Sequence, residues 1–86
     1  DDPLVARELA LIKVKADPND RIEITSIVEI FRANIIDVGL NSVVIEVTGD
    51  EDKVASLYKL LEPFGIKEMI RTGRVAMVRG STDAQA

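Results

Sequence analysis

The side chains able to bind or react fall into a few clusters, and each has an ordinary use as well as a chemical one. Asp17, Asn19 and Asp20 carry the alternating oxygens of a calcium loop. No glycine and distal glutamate follow at the spacing such a loop needs, so a turn and a helix cap are expected there. Asp50-Glu51-Asp52 could hold a cation, yet three acids after a strand are more simply the solvated start of a helix, where carboxylates meet the positive end of the dipole. Gly73 and Gly80 flank Arg74 and Arg79 without the strand, glycine-rich loop and helix that cradle a phosphate. Arg71, Arg74 and Arg79 lie close together around the last turn and are candidates for contact with an acidic surface of a protein partner. Asp37, between Ile36 and Val38, is the one acid inside an apolar strand, and it either faces solvent or bonds a partner. Glu29 and Arg32 read as an exposed helical ion pair.

The composition removes whole classes of chemistry. With no cysteine there are no disulfides, zinc-thiolate sites or thiol nucleophiles, and with no histidine the commonest general base and metal ligand is missing. No catalytic residue, cofactor or metal ligand is therefore assigned. A net charge of −4 and only three aromatic residues, Phe31, Tyr58 and Phe64, give neither a basic footprint nor a base-stacking platform, so nucleic acid is not an expected partner. No run approaches the roughly 20 apolar residues of a membrane span, and no signal-peptide pattern opens the chain. A soluble, cytoplasmic protein is expected, with a plastid the alternative in a eukaryote. The opening Asp1-Asp2-Pro3 lacks a methionine, as an excised piece of a longer protein would.

The elements that must position these groups follow from periodicity. Of the 86 residues 47% are hydrophobic and 30% charged, enough for one domain with a single core. Arg7 to Ala16 alternates, with Ala10, Ile12 and Val14 on one side and Leu9, Leu11, Lys13 and Lys15 on the other, which is a strand with one buried face. Asp20 with Glu23 forms a capping box for a helix over Arg21 to Ala33, whose buried stripe is Ile24, Ile27, Val28 and Phe31, widened by Ile30. Ile35 to Val38 and Ser42 to Thr48 are strands joined through Gly39-Leu40-Asn41, with glycine and asparagine supplying positive φ. Asp50 caps a second helix with the stripe Val54, Leu57, Tyr58 and Leu61, ended by Pro63 and Gly65. Ile66 to Thr72 is a further strand, and Val75 to Val78 a short extra one.

This order is βαββαβ with an added C-terminal strand, an α+β fold of the ferredoxin-like or split βαβ kind. Right-handed crossovers put both helices on one face of an antiparallel sheet and leave the other face bare. Residues 1–80 are expected to form the domain and 81–86 a flexible tail. By strand parity the bare face carries Leu9, Leu11 and Val44, with Met69, beside Lys13, Lys15 and Glu46. A contiguous apolar patch on a sheet marks a surface for another domain or subunit.

Arg7-Glu8-Leu9-Ala10-Leu11-Ile12-Lys13-Val14, Glu29-Ile30-Phe31-Arg32 with Ile35-Ile36-Asp37-Val38, and Arg71-Thr72-Gly73 with Val75-Ala76 and Arg79-Gly80 occur in an order that resembles the C-terminal domain of acetolactate synthase (acetohydroxyacid synthase) small subunits. The resemblance covers nearly the whole chain. It implies a non-catalytic regulatory subunit that forms a homodimer and binds the thiamine-diphosphate-dependent catalytic large subunit. Such a subunit activates the enzyme and confers feedback inhibition by branched-chain amino acids, typically valine. It also implies that the effector is bound mainly by an N-terminal ACT domain that this chain does not include, so no effector-binding residue carries over. Two other readings compete with it. One is a free-standing ACT-like sensor that binds a small molecule between protomers or acts as a dimerisation module. The other is an acylphosphatase-like enzyme, against which stands the lack of a phosphate-cradling loop after the first strand.

Overall fold

The computed structural model describes residues 4–80, so the expected tail over 81–86 lies outside the described residues. Five strands and two helices follow one another as β1 (Leu4–Lys15), α1 (Arg21–Ile30), β2 (Asn34–Val38), β3 (Ser42–Gly49), α2 (Glu51–Leu61), β4 (Ile66–Arg71) and β5 (Val75–Val78), with a 3₁₀ turn over Glu62–Phe64 before β4. The sheet order is β2-β3-β1-β4 and every pairing is antiparallel, while β5 pairs with β1. This is the expected ferredoxin-like arrangement of two helices on an open sheet.

Strand alternation and register build the core. Ile12 on β1 faces Ile45 on β3 and Met69 on β4, so one face of three adjacent strands is apolar. Ala10, Ile12 and Val14 with Val43, Ile45 and Val47 are buried there, beneath Ile24 and Val28 of α1 and Val54, Leu57 and Leu61 of α2. Ile27 and Phe31 are only partly buried. Ile30 does not widen the stripe: it is 76% exposed, because it sits about 100° round the helix from the centre of that stripe.

Several local expectations are corrected. Asp20 makes no capping bond, since its backbone is helical (φ −84°, ψ −17°) rather than extended. Asp17 takes over, its Oδ1 accepting from the backbone N–H of Asn19 at 3.0 Å and of Asp20 at 3.1 Å. Neither Gly39 nor Asn41 has positive φ. The β2–β3 turn is instead held by Arg21, whose Nη2 donates to the carbonyls of Gly39 and, at 2.9 Å, Leu40, while its Nε donates to Ala16. Asp50 does cap α2, accepting from the Lys53 backbone N–H at 2.8 Å. Gly65 is needed where it stands, with φ 106° after the 3₁₀ turn.

Helix α1 ends at Ile30, three residues earlier than expected, and Arg32 is the reason. Arg32 has φ 53°, its N–H donates to Glu29 O at 3.0 Å, and the Ala33 N–H reaches back to Val28 O at 2.9 Å. These are the two bonds of a Schellman terminus with arginine in the left-handed position that favours glycine. Arg32, expected to pair with Glu29, thus ends the helix with its backbone. Arg32→Gly is expected to raise stability by about 0.5–1 kcal/mol, the relieved left-handed strain outweighing the looser unfolded chain. Thermal denaturation should show a Tm higher by about 2–5 °C.

Candidate functional site

No helix of the described residues covers the face of the sheet opposite α1 and α2. Leu9 and Leu11 of β1 and Val44 of β3 lie on it, all partly exposed, beside Lys13, Lys15 and Glu46. A shallow depression of about 180 Å³ is lined there by Leu11, Lys13, Val44, Glu68 and Ile70. Lys13 Nζ approaches Glu68 Oε1 at 3.8 Å, with both side chains about half exposed. Such a pair contributes at most a few tenths of a kcal/mol, so it shapes the surface more than it stabilises the fold.

Met69 is not on this face. It pairs with Ile12 and packs against the core on the helix side, and Ile70, paired with Leu11 and 56% exposed, takes its place. A bulge is the cause. The β1–β4 register shifts between Lys13↔Glu68 and Val14↔Ile66, so one extra residue inverts the alternation between Ile66 and Met69. A second bulge, between Ile35 and Asp37, sets Asp37 opposite Val44 and so on the open face.

Two of the three candidate arginines, Arg74 and Arg79, line one hollow, and Arg71 is tied to it through Glu8. Arg71 forms an ion pair with Glu8, which is 5% exposed and the only buried charged side chain among the described residues. Alternation places Glu8 on the same face as Ala10, at the edge of the core, and Arg71, opposite Ala10, reaches it across the ladder. Arg74 and Arg79 line a hollow of about 350 Å³ with Asp50, Glu51 and Asp52, at the start of α2, and Glu8 is on its wall as well. Sequence reading missed the burial of Glu8; its parity with Ala10, Ile12 and Val14 was the available signal.

Among the described residues no group of three or more His, Cys, Asp or Glu is placed to hold a metal ion, and no helix is long and apolar enough to cross a membrane. The open face of the sheet has an apolar centre and a charged margin.

Comparison with known proteins agrees in fold and sequence. A family model described as the small subunit of acetolactate synthase matches residues 7–80. A probable acetolactate synthase small subunit of Archaeoglobus fulgidus is 57% identical over 77 residues, which are 90% of this chain and 48% of that protein. The acetolactate synthase small subunit of Bacillus subtilis is 51% identical over 78 residues, 91% of this chain and 45% of its own length. Acetolactate synthase small subunit 2 of Arabidopsis thaliana, named as chloroplastic, is 54% identical over 91% of this chain and 16% of its own length. The crystal structure of the small subunit from Thermotoga maritima superposes with a TM-score of 0.83 at 48% identity, covering 90% of this chain and 47% of that one. The chain spans about half the length of these prokaryotic relatives or less. With the match extending through both helices and all of β2, β3, β4 and β5, this chain belongs to the family of acetolactate synthase small subunits.

Proposed function

We propose that this chain is the C-terminal domain of a regulatory, non-catalytic small subunit. In this reading it associates with the catalytic large subunit of acetolactate synthase, takes part in a homodimer, and helps transmit activation and valine feedback inhibition. The observation that carries it is the family match over residues 7–80, at about half the length of the prokaryotic relatives. The branched-chain amino acid is bound mainly by an N-terminal ACT domain, and the thiamine diphosphate belongs to the large subunit. The working compartment is the cytoplasm, or the plastid in a plant. Transmission requires the effector to bind one arrangement of the subunits more tightly than another, because equal affinity for both shifts nothing. A domain that holds subunits together makes that preference felt at a distance from the effector.

The test is a pull-down and activity assay against the cognate large subunit at several valine concentrations, using this domain alone and the full-length small subunit. Full-length protein should activate the enzyme and make it valine-sensitive, while the domain alone should bind without conferring inhibition. If neither form binds, the assignment fails.

A further inference from the structure

Strand β1 runs past its neighbours in the body. Strand β3 leaves it at Glu8 and β4 at Ala10, and its first residues are paired only with β5, as Leu4↔Val78, Val5↔Met77, Ala6↔Ala76 and Arg7↔Val75. The molecule is therefore 54 Å long and 21 × 19 Å across, and its Cα radius of gyration of 15.5 Å exceeds the roughly 12 Å of a compact chain this size. An arm of two strands with no third beside it is weakly supported. Its return strand joins the body through Thr72-Gly73-Arg74. Thr72 is pinned, its N–H donating to Leu9 O at 3.0 Å and its Oγ1 accepting from the Leu9 N–H at 3.1 Å. Gly73, just beyond, has φ 82° and open space where a Cβ would stand, so the chain can turn there.

The base of the arm faces the start of α2 across the hollow of about 350 Å³. The two walls are opposite in charge, with Arg7 and Arg74 on the arm and Asp50, Glu51 and Asp52 on the helix. Glu8 in the same hollow is already paired with Arg71, and Asp50 is used as the cap of α2. The side chains of Arg74, Glu51 and Asp52 make no hydrogen bond or ion pair among the described residues, and Arg7 donates only to the adjacent Ala6 O, at 2.8 Å. Unpaired opposite charges thus face each other across a gap, one set carried by an arm that the rest of the sheet does not hold. We propose that the β1–β5 arm is a hinged strap that closes on the start of α2, pivoting where Thr72 is pinned to Leu9. In the closed state Arg7 and Arg74 pair with Glu51 and Asp52. Ala6, in phase with Ala10 and Ile12, and Ala76 opposite it turn toward the helix, and their small side chains let the arm approach. Exposed ion pairs are weak and screened by salt, so open and closed arms are close in free energy, and a partner that binds one better shifts the balance.

The strap is a property of this chain alone, and its test needs no partner. The chain has no cysteine, so spin labels can be placed uniquely at Met77→Cys on the arm and Ser56→Cys on α2, both exposed positions. Double electron–electron resonance on labelled protein diluted into unlabelled chain reads only distances within one molecule, and it should show a long and a short population. The short one should fall about 3-fold or more between about 0.01 M and about 1 M salt, as the Debye length drops from roughly 30 Å to roughly 3 Å. Arg7→Glu/Arg74→Glu should remove most of it with unchanged circular dichroism, and adding Glu51→Lys and Asp52→Lys to that variant should bring it back. A single distance indifferent to salt and to these charges overturns the proposal, since the arm is then rigid and the arginines cross the hollow, if at all, by their side chains. A short population that survives the charge reversal also overturns it, because the arm then bends for a reason other than these two walls.

Discussion

Leu57→Ala is expected to destabilise the domain by about 3–4 kcal/mol, a large share of the 5–15 kcal/mol that domains of this kind possess. Leu57 is fully buried, in the middle of α2, and belongs to the one cluster formed by both helices and the sheet. Its truncation loses the transfer free energy of the side chain and leaves a cavity that a rigid sheet cannot close. A Tm lower by about 15–25 °C and a matching loss in urea denaturation would show it. Ile30→Ala is the control: at 76% exposure it should cost under about 0.5 kcal/mol. Equal effects at the two positions would contradict the helix faces described above.

The second large effect is expected at Arg71→Leu. Glu8 is 5% exposed while the Arg71 side chain is 43% exposed, so the pair is asymmetric. Removing arginine leaves a carboxylate at the edge of the core without its main partner, whereas removing glutamate leaves a guanidinium that water can reach. Arg71→Leu should therefore cost about 2–3 kcal/mol, below the figure for a fully buried pair because solvent screens this one in part. Replacing both residues by leucine should recover much of the loss, since an apolar pair needs no charge compensation. A thermodynamic cycle of Glu8→Leu, Arg71→Leu and the double variant measures the coupling. Additive effects would mean that the ion pair contributes nothing to the fold. Because Arg71 is used inside the domain, its loss would also weaken any association indirectly. Arg74 and Arg79, which line the hollow at the start of α2, are the arginines to test for partner contact.

Much of the architecture was legible because it rests on local periodicity. The stripe Ile24, Val28 and the stripe Val54, Leu57, Leu61 recur at helical spacing, and Ala10, Ile12, Val14 and Val43, Ile45, Val47 alternate without interruption. All of these are buried. Asp50 was recognisable as a cap because acids directly after a strand-ending glycine have one ready use. Errors fell where the chemistry is ambiguous over a few residues. Asp17 and Asp20 are equally good acceptors, and only the backbone angles decide which of them takes the N–H groups. Arg32 ends α1 in a conformation that arginine seldom adopts, and nothing in its side chain announces that.

The order of elements, the two helix stripes and the core faces of β1 and β3 can be read from the residues alone, because each depends on a period of 3.6 or 2 running within one segment. The faces of β2 and β4 are set by strand pairing in the folded domain, since a single extra residue at a bulge inverts every side chain beyond it and leaves no mark in composition. That is how Ile70 rather than Met69 came to the open face. Tertiary pairing likewise decided that β1 and β5 together project beyond the body, and that Arg71 is committed to Glu8, 63 residues away. A contact between distant residues is set by register across the sheet, and register is a property of two strands together, which neither strand carries alone.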